Sequence, residues 1–153
     1  ADLERANNYG NIPAHLAALH GHLECLGFLA KRGADLEKTN KYGNTPLTWA
    51  SSRGHSTCVA FLEGMRWLRP QLPAGSGLAV AVLDLSGKTV GDWEARHLAA
   101  VLPYLPTLHT LHLPGSSIGD PAASELVAAL RRCKRLRVLR IPDKSAALVR
   151  LSE

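Results

Sequence analysis

Two rhythms of apolar positions divide the chain. In the first third they come in tight clusters broken by glycine-containing turns. Ala14, Ala17 and Ala18 form one cluster, and Leu23, Leu26, Phe28 and Leu29 form the next. Spacing of three to four residues puts each cluster on one face of a short helix. Gly21 separates the two helices and Gly33 ends the second. From residue 80 the rhythm changes. Val80, Leu83 and Leu85 follow a Leu-x-Leu alternation that predicts a short strand. Ala95, Leu98 and Leu102 then return to helical spacing, which predicts a helix over 93–102 and, by the same pattern, another over 121–130.

The first rhythm recurs at an offset of 33. Tyr9-Gly10-Asn11 falls on Tyr42-Gly43-Asn44, Pro13 on Pro46, Ala17 on Ala50, Gly21-His22 on Gly54-His55, Cys25 on Cys58, and Phe28-Leu29 on Phe61-Leu62. Each unit reads as turn, helix, turn, helix. Gly10 and Gly43 can take positive φ in the first turn. Pro13 and Pro46 suit a first helical turn, where a missing N–H costs nothing. Thr45 is expected to cap the helix after it, whereas Ile12 has no side-chain oxygen for that task. Ala17, Ala18, Ala50 and Ser51 permit close packing. Cys25 and Cys58 are expected to be small core residues.

The run Asn-x-Tyr-Gly-Asn-Ile-Pro-Ala-His-Leu-Ala-Ala-x-x-Gly-His-Leu-Glu, followed by Lys-Arg-Gly-Ala-Asp-Leu-Glu, resembles the ankyrin repeat. That family's hallmark is T-P-L-H-x-A, then G-H and G-A-D. The resemblance covers residues 1–63: the tail of one unit, a full unit over 7–39 and most of another. Ala14 stands where the family has leucine, and Thr48 where it has a histidine that ties units together. Asp2-Leu3-Glu4 recurs as Asp35-Leu36-Glu37, and the only methionine is Met65. Two units bury too little for a stable core. Further repeats are therefore expected upstream, in a larger protein.

The second rhythm recurs at an offset of 28. Leu83 and Leu85 fall on Leu111 and Leu113, then on Leu139 and Ile141. Val90-Gly91-Asp92 falls on Ile118-Gly119-Asp120, and Ala95, Leu98 and Leu102 fall on Ala123, Leu126 and Leu130. Asp92 and Asp120 are expected to cap the helices and suit their dipoles. The pattern L-x-x-L-x-L, then I-G-D, then A-x-x-L-x-x-x-L resembles the leucine-rich repeat of the ribonuclease-inhibitor type over 80–142. Lys88 and Ser116 stand where that family has asparagine or cysteine. The expected fold is a pair of repeat solenoids: an α-helical ankyrin array followed by an α/β leucine-rich-repeat array with short parallel strands. The expected limits are 1–68 for the ankyrin repeats with a capping helix, 69–77 for a linker, 78–143 for the leucine-rich repeats, and 144–153 for a C-terminal cap or tail.

Composition narrows the function. At 46% apolar and 20% charged over 153 residues the chain is globular in character. No apolar run is long enough to span a bilayer. Three cysteines without tight pairing suit a reducing compartment, so the expected location is cytoplasmic, with cytoskeleton or cilium as narrower settings suggested by ankyrin and leucine-rich scaffolds. His15, His20, His22 and Cys25 crowd together, but His15 and His22 are repeat-pattern residues, so no metal and no cofactor are expected. No nucleophilic triad or phosphate loop is visible, and no enzyme is expected. The net charge of +5 is concentrated in Arg131, Arg132, Lys134 and Arg135, followed by Arg137 and Arg140. These suit a helix C-terminus, and nucleic acid is disfavoured as a partner.

The reading that remains is a non-enzymatic protein–protein interaction scaffold or adaptor, one subunit of a larger intracellular complex. The alternatives are a substrate-recognition adaptor of a ubiquitin ligase and a regulator or inhibitor of an enzyme. The variable positions of the ankyrin resemblance place partner contacts at Asn8, Tyr9, Asn11, Leu19 and His20, and at Lys41, Tyr42, Asn44, Ser52 and Arg53. On the strands, Asp84, His112 and Arg140 form a row with neighbours ~4.8 Å apart.

Overall fold

The computed structural model describes residues 2–74, 78–114 and 118–140. The chain divides into two compact units, Ala1–Arg66 and Trp67–Glu153.

The first unit contains helices α1 (Pro13–Leu19), α2 (Leu23–Lys31) and α3 (Pro46–Ser52), and most of α4 (Ser56–Leu68). α1 packs on both α2 and α3. Proline opens α1 and α3, as the spacing predicts. Thr45 caps α3: its hydroxyl accepts the Thr48 N–H at 3.2 Å. Ile12 cannot do the same, and a different device replaces it. The Ile12 N–H donates to His15 Nδ1 at 3.3 Å, while the Ile12 side chain is fully buried. Ile12, Ala14, Ala18, Leu26, Ala50 and Phe61 form the core of this unit. Gly21 has φ +70°, and a Cβ there would lie 2.7 Å from His55 Nδ1, so the turn and the close approach of the next repeat both require glycine.

Three expectations fail here. Cys25 is exposed, whereas its counterpart Cys58 is buried. Phe28 is 51% exposed, whereas Phe61 is fully buried. The same sequence positions meet different surroundings: Cys58 and Phe61 on α4 are enclosed, whereas Cys25 and Phe28 on α2 line an open groove among the described residues. Ser51 is also exposed rather than packed.

The second unit alternates strand and helix: β1 (Val82–Asp84), α5 (Asp92–Val101), β2 (Thr110–His112), α6 (Asp120–Arg132) and β3 (Val138–Arg140). The three strands pair in parallel in the order β1-β2-β3. Val82 pairs with Thr110 and Val138, Leu83 with Leu111 and Leu139, and Asp84 with His112 and Arg140. This is the 28-residue offset expressed as a ladder. Leu83, Leu85, Leu111 and Leu113 are buried, while Val82 and Val138 on the alternate face are exposed. α5 and α6 pack on one another. Both helices begin one residue earlier than the spacing predicts.

That shift corrects the capping expectation. Gly91 and Gly119 occupy the N-cap positions, and Asp92 and Asp120 are the first helical residues. The Gly91 N–H is held instead by Glu94 Oε2 at 2.9 Å. The Asp92 carboxylate reaches across to the Gly119 N–H, so it serves the N-terminus of the next helix. Cys133 is half-buried, with its thiol against the Leu102 and Ala129 carbonyls. Ser116, the end of the third strand pattern at Ile141 and the expected cap at 144–153 lie outside the described residues. Among the described residues, no helix is long and apolar enough to cross a membrane.

Candidate functional site

Three surfaces stand out, and the first is the pair of turn tips. Asn7 Oδ1 accepts the N–H groups of Tyr9 and Asn11, both at 3.0 Å. Asn40 Oδ1 repeats this with Tyr42 and Asn44, both at 2.9 Å. Each asparagine side chain thus supplies the acceptor that folds the turn. Both tyrosines are pushed into solvent, at 59% and 69% exposure. The Lys41 N–H donates to the Tyr9 carbonyl at 3.2 Å, which fastens the two tips side by side. Asn8 and Lys41 are exposed beside the rings.

Asn11 and Asn44 are half-buried and work between the repeats. Asn40 Nδ2 donates to Asn11 Oδ1 at 2.8 Å, and His15 Nε2 meets the Asn44 carbonyl at 2.9 Å. His15 Nδ1 already accepts from Ile12, so Nε2 carries the proton of that bond. At the ends of the first helices, the Leu19 carbonyl accepts from His55 Nε2 at 3.1 Å. Ser52 Oγ donates to the Trp49 carbonyl at 2.9 Å. His20 and Arg53 are exposed. Of the ten expected tip and helix-end residues, the tyrosines are therefore the exposed large hydrophobic ones, and Asn11 and Asn44 hold the tips in place.

The second surface is the strand row. Register places Asp84, His112 and Arg140 side by side. Asp84 Oδ2 and His112 Nδ1 are 3.6 Å apart. The Ser86 hydroxyl, the Ser86 N–H at 2.9 Å and the neighbouring His112 hold the Asp84 carboxyl below the usual carboxylate range.

The third surface shares only His20 with the expected set. Leu16, Ala17, Cys25, Phe28 and Leu29 line an apolar groove of about 540 Å3 on the outer face of α1 and α2. The Arg32 guanidinium lies 4.8 Å from the Phe28 ring centre. The signal was present in the 33-residue offset, because Cys25 and Phe28 stand at the positions of the buried Cys58 and Phe61. Burial raises the thiol pKa of Cys58 and Cys133. Among the described residues no cluster of His, Cys, Asp and Glu could hold a metal ion.

No curated protein and no solved structure matches the chain. A family model, described as ankyrin repeats (many copies), matches residues 14–63. This stretch contains all of α1, α2 and α3 and the first part of α4. Ankyrin repeats generally mediate protein–protein interaction and are generally non-catalytic. Residues 14–63 are thus a region of ankyrin repeats.

Proposed function

We propose that the chain is a non-enzymatic protein–protein interaction module, acting as a scaffold or adaptor within a larger complex. The observation that carries this reading is the pair of exposed tyrosines, Tyr9 and Tyr42, on adjacent tips. Aromatic side chains held rigidly in solvent bury large area at small entropic cost when a partner covers them. We read residues 1–68 as the ankyrin part, 69–77 as a linker and 78–143 as a leucine-rich-repeat array. Parallel strands 28 residues apart, each followed or preceded by a helix, support the second assignment. The row Asp84–His112–Arg140 then offers a second, charged contact surface.

The test is affinity purification with the 153-residue chain and with Tyr9→Ala plus Tyr42→Ala, each checked for unchanged helical circular dichroism. A partner retained by the parent and lost by the double variant supports the reading. A partner retained by that variant but lost on Asp84→Ala moves the interface to the strand row and overturns the tip assignment.

A further inference from the structure

The last stretch of the second unit carries charge that the fold does not use. Between Glu125 and Asp143 the chain has six cations and no carboxylate. Arg131 and Arg132 sit in the last turn of α6, where they suit the helix dipole. Lys134, Arg135 and Arg137 lie past the helix end, outside that turn. With Thr107 and His109 they line a pocket of about 410 Å3, formed where the chain leads into β2 and β3.

The repeat itself does not call for cations at these places. At the 28-residue offset Lys134, Arg135 and Arg137 fall on Pro106, Thr107 and His109, and His109 in turn falls on Ala81. The backbone does the same work in each copy. The His109 N–H donates to the Ala81 carbonyl at 2.9 Å, and the Arg137 N–H donates to the His109 carbonyl at 2.9 Å. The side chains are left over. Lys38, Arg66 and Arg96 each face a glutamate, but Lys134, Arg135 and Arg137 have no ion pair among the described residues. His109 Nδ1 meets Thr110 Oγ1 at 3.0 Å, and its Nε2 has no hydrogen-bond partner among the described residues. The Thr107 hydroxyl is enclosed and also unpartnered, a donor that a χ1 rotation would offer to the pocket.

We propose that this pocket binds a phosphomonoester group. Unpaired cations around one recess focus positive potential into it. A phosphomonoester brings nearly two negative charges near neutral pH and three acceptor oxygens. Two guanidinium forks and one ammonium match that geometry and charge. A carboxylate, with one charge and two oxygens, leaves most of these donors unmatched. A nucleic-acid strand calls for a track of cations with aromatic platforms, and no Phe, Tyr or Trp lines the pocket. The site belongs to the second unit and does not depend on the tyrosine tips.

The experiment titrates the 153-residue chain with sodium phosphate, with a glycine-flanked phosphoserine peptide and with the same peptide unphosphorylated. Backbone amide and arginine side-chain resonances are followed by NMR. Both phosphate probes are expected to give saturable shifts concentrated at Thr107, His109, Lys134, Arg135 and Arg137, and the unphosphorylated peptide none. Arg135→Gln plus Arg137→Gln should weaken binding by about ten-fold or more, because each guanidinium supplies charge-assisted bonds. Arg131→Gln plus Arg132→Gln removes the same charge outside the pocket and should change the affinity by less than about two-fold. All four arginines are exposed, so both variants should keep the parent spectrum elsewhere. Tighter binding of the phosphopeptide than of phosphate assigns the group to a phosphorylated side chain, and equal binding assigns it to a small phosphate-bearing molecule; either supports the pocket.

Equal weakening by the two double variants overturns the proposal, since diffuse charge then accounts for binding. So does a peptide with glutamate in place of phosphoserine that binds as well, or an absence of saturable shifts with both phosphate probes. A short oligothymidine that binds more tightly than the phosphopeptide and shifts Arg131 and Arg132 as strongly as the pocket residues also overturns it, making the face a nucleic-acid surface.

Discussion

Replacing Phe61 by alanine and, separately, Phe28 by alanine compares one residue type at one repeat position in two environments. Phe61 is fully buried, and a large-to-small change there loses transfer free energy and leaves a cavity, about 3–5 kcal/mol in all. Phe28 is 51% exposed, so truncation there loses part of one face's burial and opens no enclosed cavity. Its expected cost is about 1 kcal/mol or less. The first unit has 66 residues. At roughly 0.05–0.15 kcal/mol per residue its whole stability is about 3–10 kcal/mol. The Phe61 variant should therefore lose about 30% or more of that, up to all of it. Urea unfolding, followed by helical circular dichroism and by the fluorine resonance of 5-fluorotryptophan at Trp49, reads the first unit separately. With an m-value of about 1 kcal/mol/M, Phe28→Ala should move the midpoint by at most ~1 M, while Phe61→Ala should abolish the folded baseline or shift it by several molar. Equal shifts for the two variants would refute the assigned burial of α4 and the openness of the α2 face together.

Three further predictions follow from single contacts. Thr45→Ala removes the hydroxyl that accepts the Thr48 N–H and should cost about 1 kcal/mol, with Thr45→Asp retaining most of the parent stability in the same urea assay. Asp92→Ala removes the carboxylate at the Gly119 N–H and should cost about 0.5–1 kcal/mol, showing first as faster amide exchange in the opening turn of α6. A carboxyl NMR titration should place Asp84 below the ordinary carboxylate range, and Ser86→Ala should raise it more than His112→Ala, because the Ser86 hydroxyl is the largest cause. A carboxyl held low in the folded state contributes stability above its unfolded value and loses that contribution as pH falls through the folded one. Any acid sensitivity from Asp84 therefore belongs below the normal carboxylate titration; a larger effect of His112→Ala would reverse the ranking.

Much of the architecture can be read from offsets in the chain. The 33-residue match located two helix pairs because glycine, proline and small residues mark the turns and close contacts whatever lies around them. The 28-residue match located the strands and their register because parallel neighbours displaced by one unit bring equivalent residues together, so Asp84 lies beside His112. Local chemistry was also legible at Thr45, whose hydroxyl reaches a backbone N–H only three residues away. Offsets equate positions but say nothing of their neighbours. Cys25 and Cys58 are alike in sequence, and only packing separates them, because one meets a preceding helix pair and the other meets solvent. The same holds for His22 and His55 and for Phe28 and Phe61. Asp92 was placed as its own helix's cap, yet a one-residue shift sends its carboxylate to the helix that follows. The repeating units and their turns are legible in the chain because they depend on backbone geometry a few residues long. The tertiary structure decided which copies of each repeated residue are buried, bonded or left open, because burial depends on the neighbouring unit that covers each face.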